Sequence, residues 1–337
     1  MKKYEFRSIT IDDIPAMTDL LTCRQNLESQ AFPFLKNSSL NAKYIKDMFE
    51  TLLINSKAIG IGAFTDDELI GYIIGQIKID TTYLRGRHIW VPYEGIAIRM
   101  DQSSELIRNL YAKASVLWLE QGCFMHYTVV PLGNHMYCDA FLRLSFFIQQ
   151  VHGIMNMKDY KPFENVSDAE VRVANKADSE AMGQMSNIIA SYQNSAPTFQ
   201  PVVPEFIANI KEGYKSIVEE DDETVLIATK DMEELGFQDY CSITPDLMAP
   251  DNGIELSTAG TYSSQMGRGV GKKLMNEGCR FMKEKGYNNI ITDWRITNLA
   301  SSTFWPKCGF KPVAYRMVRY IDSDIIWANF NNPSINI

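Results

Sequence analysis

Disulfide and metal-binding patterns are what this chain has least of. Its six cysteines (Cys23, Cys123, Cys138, Cys241, Cys279, Cys308) form no CxxC pair and keep no regular spacing. That excludes a disulfide framework and a zinc ribbon and leaves reduced thiols, mostly buried. Histidine is scarce too: all four (His88, His126, His135, His152) fall in the first half, and His126 with His135 alone does not make a metal site. No apolar run approaches the roughly 20 residues that span a bilayer. The opening MKKYEFRSIT lacks the apolar core of a signal peptide. The expectation is a cytoplasmic protein with no membrane partner and no metal. A basic excess is also missing. With 33 Lys+Arg against 41 Asp+Glu, the net charge of −8 argues against a nucleic-acid surface.

What is present is ordinary globular composition, 45% apolar and 22% charged over 337 residues, long enough for two domains. An internal repeat supports that division. Phe6-Arg7 resembles Val171-Arg172, and Asp13, Ala16 and Met17 match Asp178, Ala181 and Met182, all at an offset of 165 residues. Asp66, Glu68, Gly71 and Tyr72 match Asp231, Glu233, Gly236 and Phe237 at the same offset. Later, Gly122, Asn134 and Phe146 match Gly286, Asn298 and Phe310 at 164. The chain therefore reads as a duplicated α/β unit, residues 1–155 and 166–337. The polar joint MNMKDYKPFENV (155–166) has the composition of a linker.

Each half reads alike. A short strand (4–9; 170–174) precedes a helix beginning near Ile11 or Ala177. A second helix covers Leu40–Asn55 or Pro204–Glu220, the latter with Phe206, Ile210, Tyr214, Ile217 and Val218 on one face. A hairpin follows across the turns TDDE and DMEE. Next come a fourth strand (93–100; 254–262) and a helix (104–121; 270–285) ended by Gly122 or Gly286. A fifth strand (125–130; 289–294), a short helix (136–144; 300–308) and a last strand (148–152; 312–320) complete each half. The fold class is α/β in the α+β sense: two mixed, mostly antiparallel sheets flanked by helices.

Between the fourth strand and third helix of the second half stands SSQMGRGVGKKL (263–274). Strand, glycine-rich turn and helix present bare backbone N–H groups to a phosphate at a helix N-terminus. A Cβ would block close approach. Arg268, Lys272 and Lys273 add positive charge there, or form a solvated helix face. Met266-Gly267-Arg268-Gly269-Val270-Gly271 resembles the Q/R-x-x-G-x-G/A loop of the GNAT N-acyltransferase superfamily. Asn298-Leu299-Ala300 and Phe304-Trp305-Pro306-Lys307-Cys308-Gly309-Phe310 resemble its N-x-x-A…F-Y-x-x-x-G-F segment, in the right order and at the right separation. The motifs cover residues 170–320; the first half joins by the repeat only. The resemblance implies a tandem GNAT protein that uses acetyl-CoA as co-substrate. Its pyrophosphate would lie on residues 266–272, and its pantetheine arm beside Ala259-Gly260-Thr261 and Asn298. Met266 departs from the Gln or Arg usual at that position.

Acyl transfer to an amine needs a base, an oxyanion donor and a way for the thiolate to leave. Glu255 is the expected base. It stands six residues before Thr261, and even spacing on a strand puts both on one face. Asp251 and Asp293 are competitors, and a strand-start carboxylate paired to a cation is the plainer reading. The N–H of Ala259 or Thr261 is the oxyanion donor that the resemblance implies. Where the family often has an acidic Tyr, the chain has Trp305, whose indole is no useful acid; Tyr262 and Tyr315 are substitutes. Asn298 either contacts the CoA arm or caps a helix. Arg295 either binds an acceptor carboxylate or faces solvent. In the first half, Glu105 and Ile107 stand at the loop glycines, and Leu144-Ser145-Phe146 at x-G-F, so no CoA site is expected there. Its aromatics (Phe32, Phe34, Trp90, Tyr93, Tyr127) line a pocket or pack a core. The expected activity is acetylation of a small-molecule primary amine. A peptide or protein acetyltransferase and a non-catalytic CoA-binding module are the alternatives, and a homodimer is compatible with either.

Overall fold

A computed structural model describes residues 4–36, 41–55, 57–80, 85–244 and 246–329. The first half runs β1 (Glu5–Ser8), α1 (Ile14–Ala31), α2 (Ala42–Asn55), β2 (Ala58–Thr65), β3 (Glu68–Asp80), β4 (Gly86–Val91), β5 (Ile96–Ile98), α3 (Ser104–Glu120), β6 (Met125–Pro131), α4 (His135–Arg143) and β7 (Phe147–Asn156). The second runs β8 (Glu170–Val173), α5 (Ser179–Met185), α6 (Asn187–Asn194), α7 (Pro204–Ser216), β9 (Glu223–Lys230), β10 (Glu233–Cys241), β11 (Gly253–Thr261), α8 (Val270–Glu284), β12 (Asn289–Arg295), α9 (Leu299–Cys308) and β13 (Lys311–Tyr320). The expected start of the second helix at Leu40 lies outside the described residues, as does the chain beyond 329.

The repeat recurs in local devices. Arg7 grips Asp13 with two hydrogen bonds of 2.8 and 2.7 Å, and Arg172 grips Asp178 at 2.8 and 2.6 Å. In each pair the Asp also accepts a backbone N–H, from Thr10 or Asn175, closing the turn into the first helix. The hairpins turn on Asp66-Asp67 and Asp231-Met232, each with two successive residues at positive φ, as a two-residue hairpin of matching twist requires.

The strands form one continuous sheet in the order β1-β2-β3-β4-β6-β13-β7-β12-β11-β10-β9-β8, with β5 beside β3. The last strands of the two halves are exchanged. β13 pairs antiparallel with β6 of the first half, and β7 with β12 of the second. β7 and β13 pair with each other, Val151 opposite Tyr315. These two residues are repeat equivalents, so a pseudo-twofold axis passes between them. The stretch read as a polar linker is packed instead. Met155, Met157 and Tyr160 are buried, and Asn276 of α8 bonds the Tyr160 hydroxyl (2.6 Å) and both backbone groups of Phe163.

One sheet face carries α3, α4, α8 and α9 over two cores centred on Trp118 and on Trp294 and Trp305. The other carries α1, α2 and α5–α7. The fourth strand expected at 93–100 is divided: β4 ends at Val91, residues 93–95 form a 3₁₀ turn, and only 96–98 resume pairing. Of the first-half aromatics, Tyr93 and Tyr127 are buried. Trp90, Phe32 and Phe34 pack against neighbouring cores. Buried His126 bonds the Tyr111 hydroxyl and the Cys123 carbonyl. All six cysteines are free.

Candidate functional site

The site begins where two parallel strands part. β11 and β12 pair only over Gly253–Glu255 and Asn289–Ile291. One last bond, Thr292 Oγ1 to the Leu256 carbonyl at 2.9 Å, closes the contact. β11 then continues to Thr261 along β10 alone. Its edge toward β12 is left without a strand partner, so alternate residues point N–H and C=O into the gap. A cleft of about 480 Å³ occupies the gap, lined among others by Ser257, Thr258, Ala259, Asn298 and Trp305.

At the end of β11 stands the glycine loop. Gly267 and Gly269 have φ of 76° and 81°, a region that suits glycine. A Cβ on Gly269 would stand 2.9 Å from the Ser167 backbone nitrogen. The first helical bond of α8 runs from Lys273 N–H to the Gly269 carbonyl (2.9 Å). The N–H groups of Val270, Gly271 and Lys272 therefore have no intrahelical acceptor and point out of the N-terminus. Of the expected cations, Lys272 lies over the Phe163 ring and Lys273 is taken by Glu277 at 3.0 Å. Arg268 borders a second hollow beside the loop, with Lys230 and Asp168. Half-exposed Met266 makes no side-chain bond that replaces a Gln or Arg there. This gap, bare strand edge and helix N-terminus fit an extended thioester arm ending in a pyrophosphate.

Glu255 does not share a face with Thr261. A bulge at Ser257 lets Leu256 pair Tyr240 while Thr258 pairs Asp239. Ile254, Leu256 and Ala259 consequently point into the same core, and the alternation shifts by one. Glu255 falls on the opposite face, with Asp239 and Asp293. Burial, then Asp293, Asp246 and Asp239, hold its carboxyl above the usual range. Tyr262 packs beside Phe237 under α5 and α6, and Tyr315 lies between the two cores of the α3/α8 face. Neither lines the cleft, and burial raises both phenols. Asn298 caps α9 by accepting the Ser301 N–H at 3.2 Å, and it also lines the cleft.

The sequence reading missed Asp239 and Glu223. The bulge aims Ser257 Oγ at Asp239 Oδ2, 2.5 Å away. Asp239 Oδ1 and Glu223 Oε2 are both buried without another partner. Burial, then the neighbouring Asp239 carboxyl, pushes Glu223 up to about 8. A Ser on a strand next to an Asp on its antiparallel neighbour becomes visible only once the register is known.

The first half lacks these openings. α3 begins at Ser104, so Glu105 and Ile107 are already helical; Glu105 pairs with Arg108 and Arg143, and Ile107 is buried. Ser103 takes the cap position, and Asp101 pairs with Arg99. Where β11 would leave carbonyls free, buried Arg24 of α1 donates to the carbonyls of Tyr93 (2.6 Å) and Ile96 (2.5 Å). Among the described residues no group of three or more potential metal ligands occurs, and no helix is long and apolar enough to cross a membrane.

Residues 192–310 match the sequence model of the Acetyltransferase (GNAT) family. No curated protein sequence matches the chain. Among solved structures, a GCN5-related N-acetyltransferase from Sphaerobacter thermophilus is similar at TM-score 0.59 and 11% identity, over 94% of this chain and 95% of that one. A glucosamine N-acetyltransferase region of a fungal multi-domain β-N-acetylglucosaminidase gives 0.54 and 14%, over 94% of this chain and 38% of that one. A tandem GNAT protein of the clavulanic acid biosynthesis pathway gives 0.51 and 11%, over 94% and 98%.

Proposed function

We propose that the chain is a tandem-domain member of the GNAT superfamily and that it transfers an acetyl group from acetyl-CoA to a primary amine of a small molecule. The observation that carries this reading is the parting of β11 from β12 directly before the glycine turn into α8. The pyrophosphate would rest on the N–H groups of residues 269–272, and the pantetheine arm would lie along the bare edge at Ala259–Thr261. The thioester carbonyl then meets a strand N–H, from Ala259 or Thr261, placed to receive the developing oxyanion.

An amine of pKa near 10 must lose a proton before it attacks. The carboxylates Asp239, Glu255 and Asp293 share the sheet face that carries the cleft. Ser257 is the hydroxyl through which Asp239 reaches the cleft. We assign proton removal to this group, with Glu255 the leading base, its carboxyl raised by burial and by its carboxylate neighbours. Trp305 stands in place of a tyrosine and neither Tyr262 nor Tyr315 lines the cleft, where the phenols present are Tyr192 and Tyr214; departure of the thiolate is assigned to no acid. A thiol pKa near 8.5 makes that step modest at neutral pH.

The test is thiol release from acetyl-CoA over a panel of amines and basic peptides, beside CoA binding by calorimetry. Turnover on small amines supports the reading. Turnover on peptides alone would replace it with protein acetylation, and CoA binding with no turnover on any acceptor would leave a binding module.

A further inference from the structure

At its far end the cleft leaves the thioester gap and crosses the middle of the sheet. There Arg295 of β12, Gln150 of β7 and Arg316 of β13 lie side by side in register, on adjacent strands about 4.8 Å apart. All three line the cleft, together with Arg85 and Asp293. Arg295 and Gln150 are only 9% and 8% exposed. Arg316 gives its Nε to Gln149 Oε1 at 3.0 Å. Among the described residues neither Arg295 nor Arg316 has an ion pair, and Arg295 has no side-chain hydrogen bond. Arg85, by contrast, is paired with Asp80. Burial, then Arg85, lowers the Arg295 pKa; burial, then Arg295, lowers that of Arg316 to about 10. Both remain charged at neutral pH, repel each other and open on the same cavity.

Buried like charges without counter-ions call for an anion. Three arginines against Asp80 and Asp293 leave one net positive charge, which matches a monoanion better than a phosphate dianion. A guanidinium fork fits the planar oxygens of a carboxylate. Asp293 stands two residues from Arg295 on the same face, roughly 7 Å along the strand. It supplies the opposite charge at the end nearer Glu255 and Ser257.

We propose that the acceptor is an amino acid-like molecule, a primary amine that also carries a carboxylate. Arg295 and Arg316, with Gln150 between them, hold the carboxylate, and Asp293 receives the ammonium end. The site belongs to both halves, because Gln150 and Arg85 come from the first. This deepens the acetyl-transfer reading and rests on it for the fate of the amine, but not for binding.

The experiment has a binding arm and a turnover arm. CoA-loaded protein is titrated calorimetrically with α- and ω-amino acids, their primary amides and O-phosphoethanolamine; thiol release from acetyl-CoA is measured on the same panel. At least one amino acid is expected to bind tenfold or more tightly than its amide, the scale of one charge-assisted hydrogen bond. R295Q should raise KM for that amino acid about tenfold while changing KM for the amide less than threefold. R295K should recover part of the loss, and the melting temperature identifies any variant that fails to fold. R316Q gives the same contrast from a neighbouring strand. Equal binding of acids and amides, or preference for O-phosphoethanolamine, overturns the proposal. So does an equal loss on acid and amide in folded R295Q. Selective amino acid binding without turnover keeps the carboxylate site and overturns the acetyl-transfer reading instead.

Discussion

Gly269 sits where two demands meet, a φ of 81° and a backbone approach from Ser167. An alanine there takes on roughly 1–2 kcal/mol of left-handed strain and pushes against a nitrogen that cannot move alone. G269A should therefore weaken CoA binding at least about tenfold in a calorimetric titration, while G213A in exposed helix surface leaves it unchanged. An unaltered affinity in G269A would remove the loop from the binding site. Glu223 offers a second test. Its pKa rises from 4.5 to about 8 on folding, so the folded chain holds a proton that the unfolded chain releases. Stability from this group is full below about 4.5 and falls as pH rises toward 8. Thermal melts across that range should decline less steeply in E223Q than in the natural chain; parallel declines would show that Glu223 does not titrate with a raised pKa.

Among the elements, most helices and hairpins were legible in the sequence, because glycine, asparagine and alternating apolar residues mark their ends. Gly122 and Gly286 do close their helices at positive φ. The turn before Phe146 forms even without glycine, with Ser145 at φ 63°. What stayed hidden depends on pairing. The bulge at Ser257 is set by the register with β10, so counting residues from Thr261 put Glu255 on the wrong face. The joint between halves is polar on average, yet Met155, Met157 and Tyr160 point inward from it. The strand exchange could not be read at all, since a repeat does not say which copy a strand joins. It carries a prediction. Residues 1–155 and 166–337 made separately would each leave a long strand edge bare, at β6 or β12. Co-expressed, they should purify as a one-to-one complex; a folded monomer of residues 166–337 in size-exclusion chromatography would count against this.

For the molecule as a whole, duplication has given two halves with unequal tasks. The second presents a loop and a gap; in the first, α3 continues through the loop position and Arg24 fills the place of the gap. One CoA per chain is therefore expected by native mass spectrometry or calorimetry, and a stoichiometry of two would reopen the first half as a binding domain. The motif around Gly269 made this asymmetry visible in the sequence, whereas Arg24 did not stand out, since a single arginine in a helix gives no hint of its burial.

The pairing of Val151 with Tyr315 on the pseudo-twofold axis has a consequence for how such a sheet can vary. In two identical chains related by a true twofold, the residue on the axis must face its own copy, so every substitution there acts twice at one point. Two tyrosines would crowd that place and two valines would leave it underfilled. A covalent join lifts the restriction, and the two sides are free to differ in size. The rows on either side use the same freedom: Gln150 opposite Arg316 is answered by Ala314 opposite His152, where identical halves would repeat a single pair.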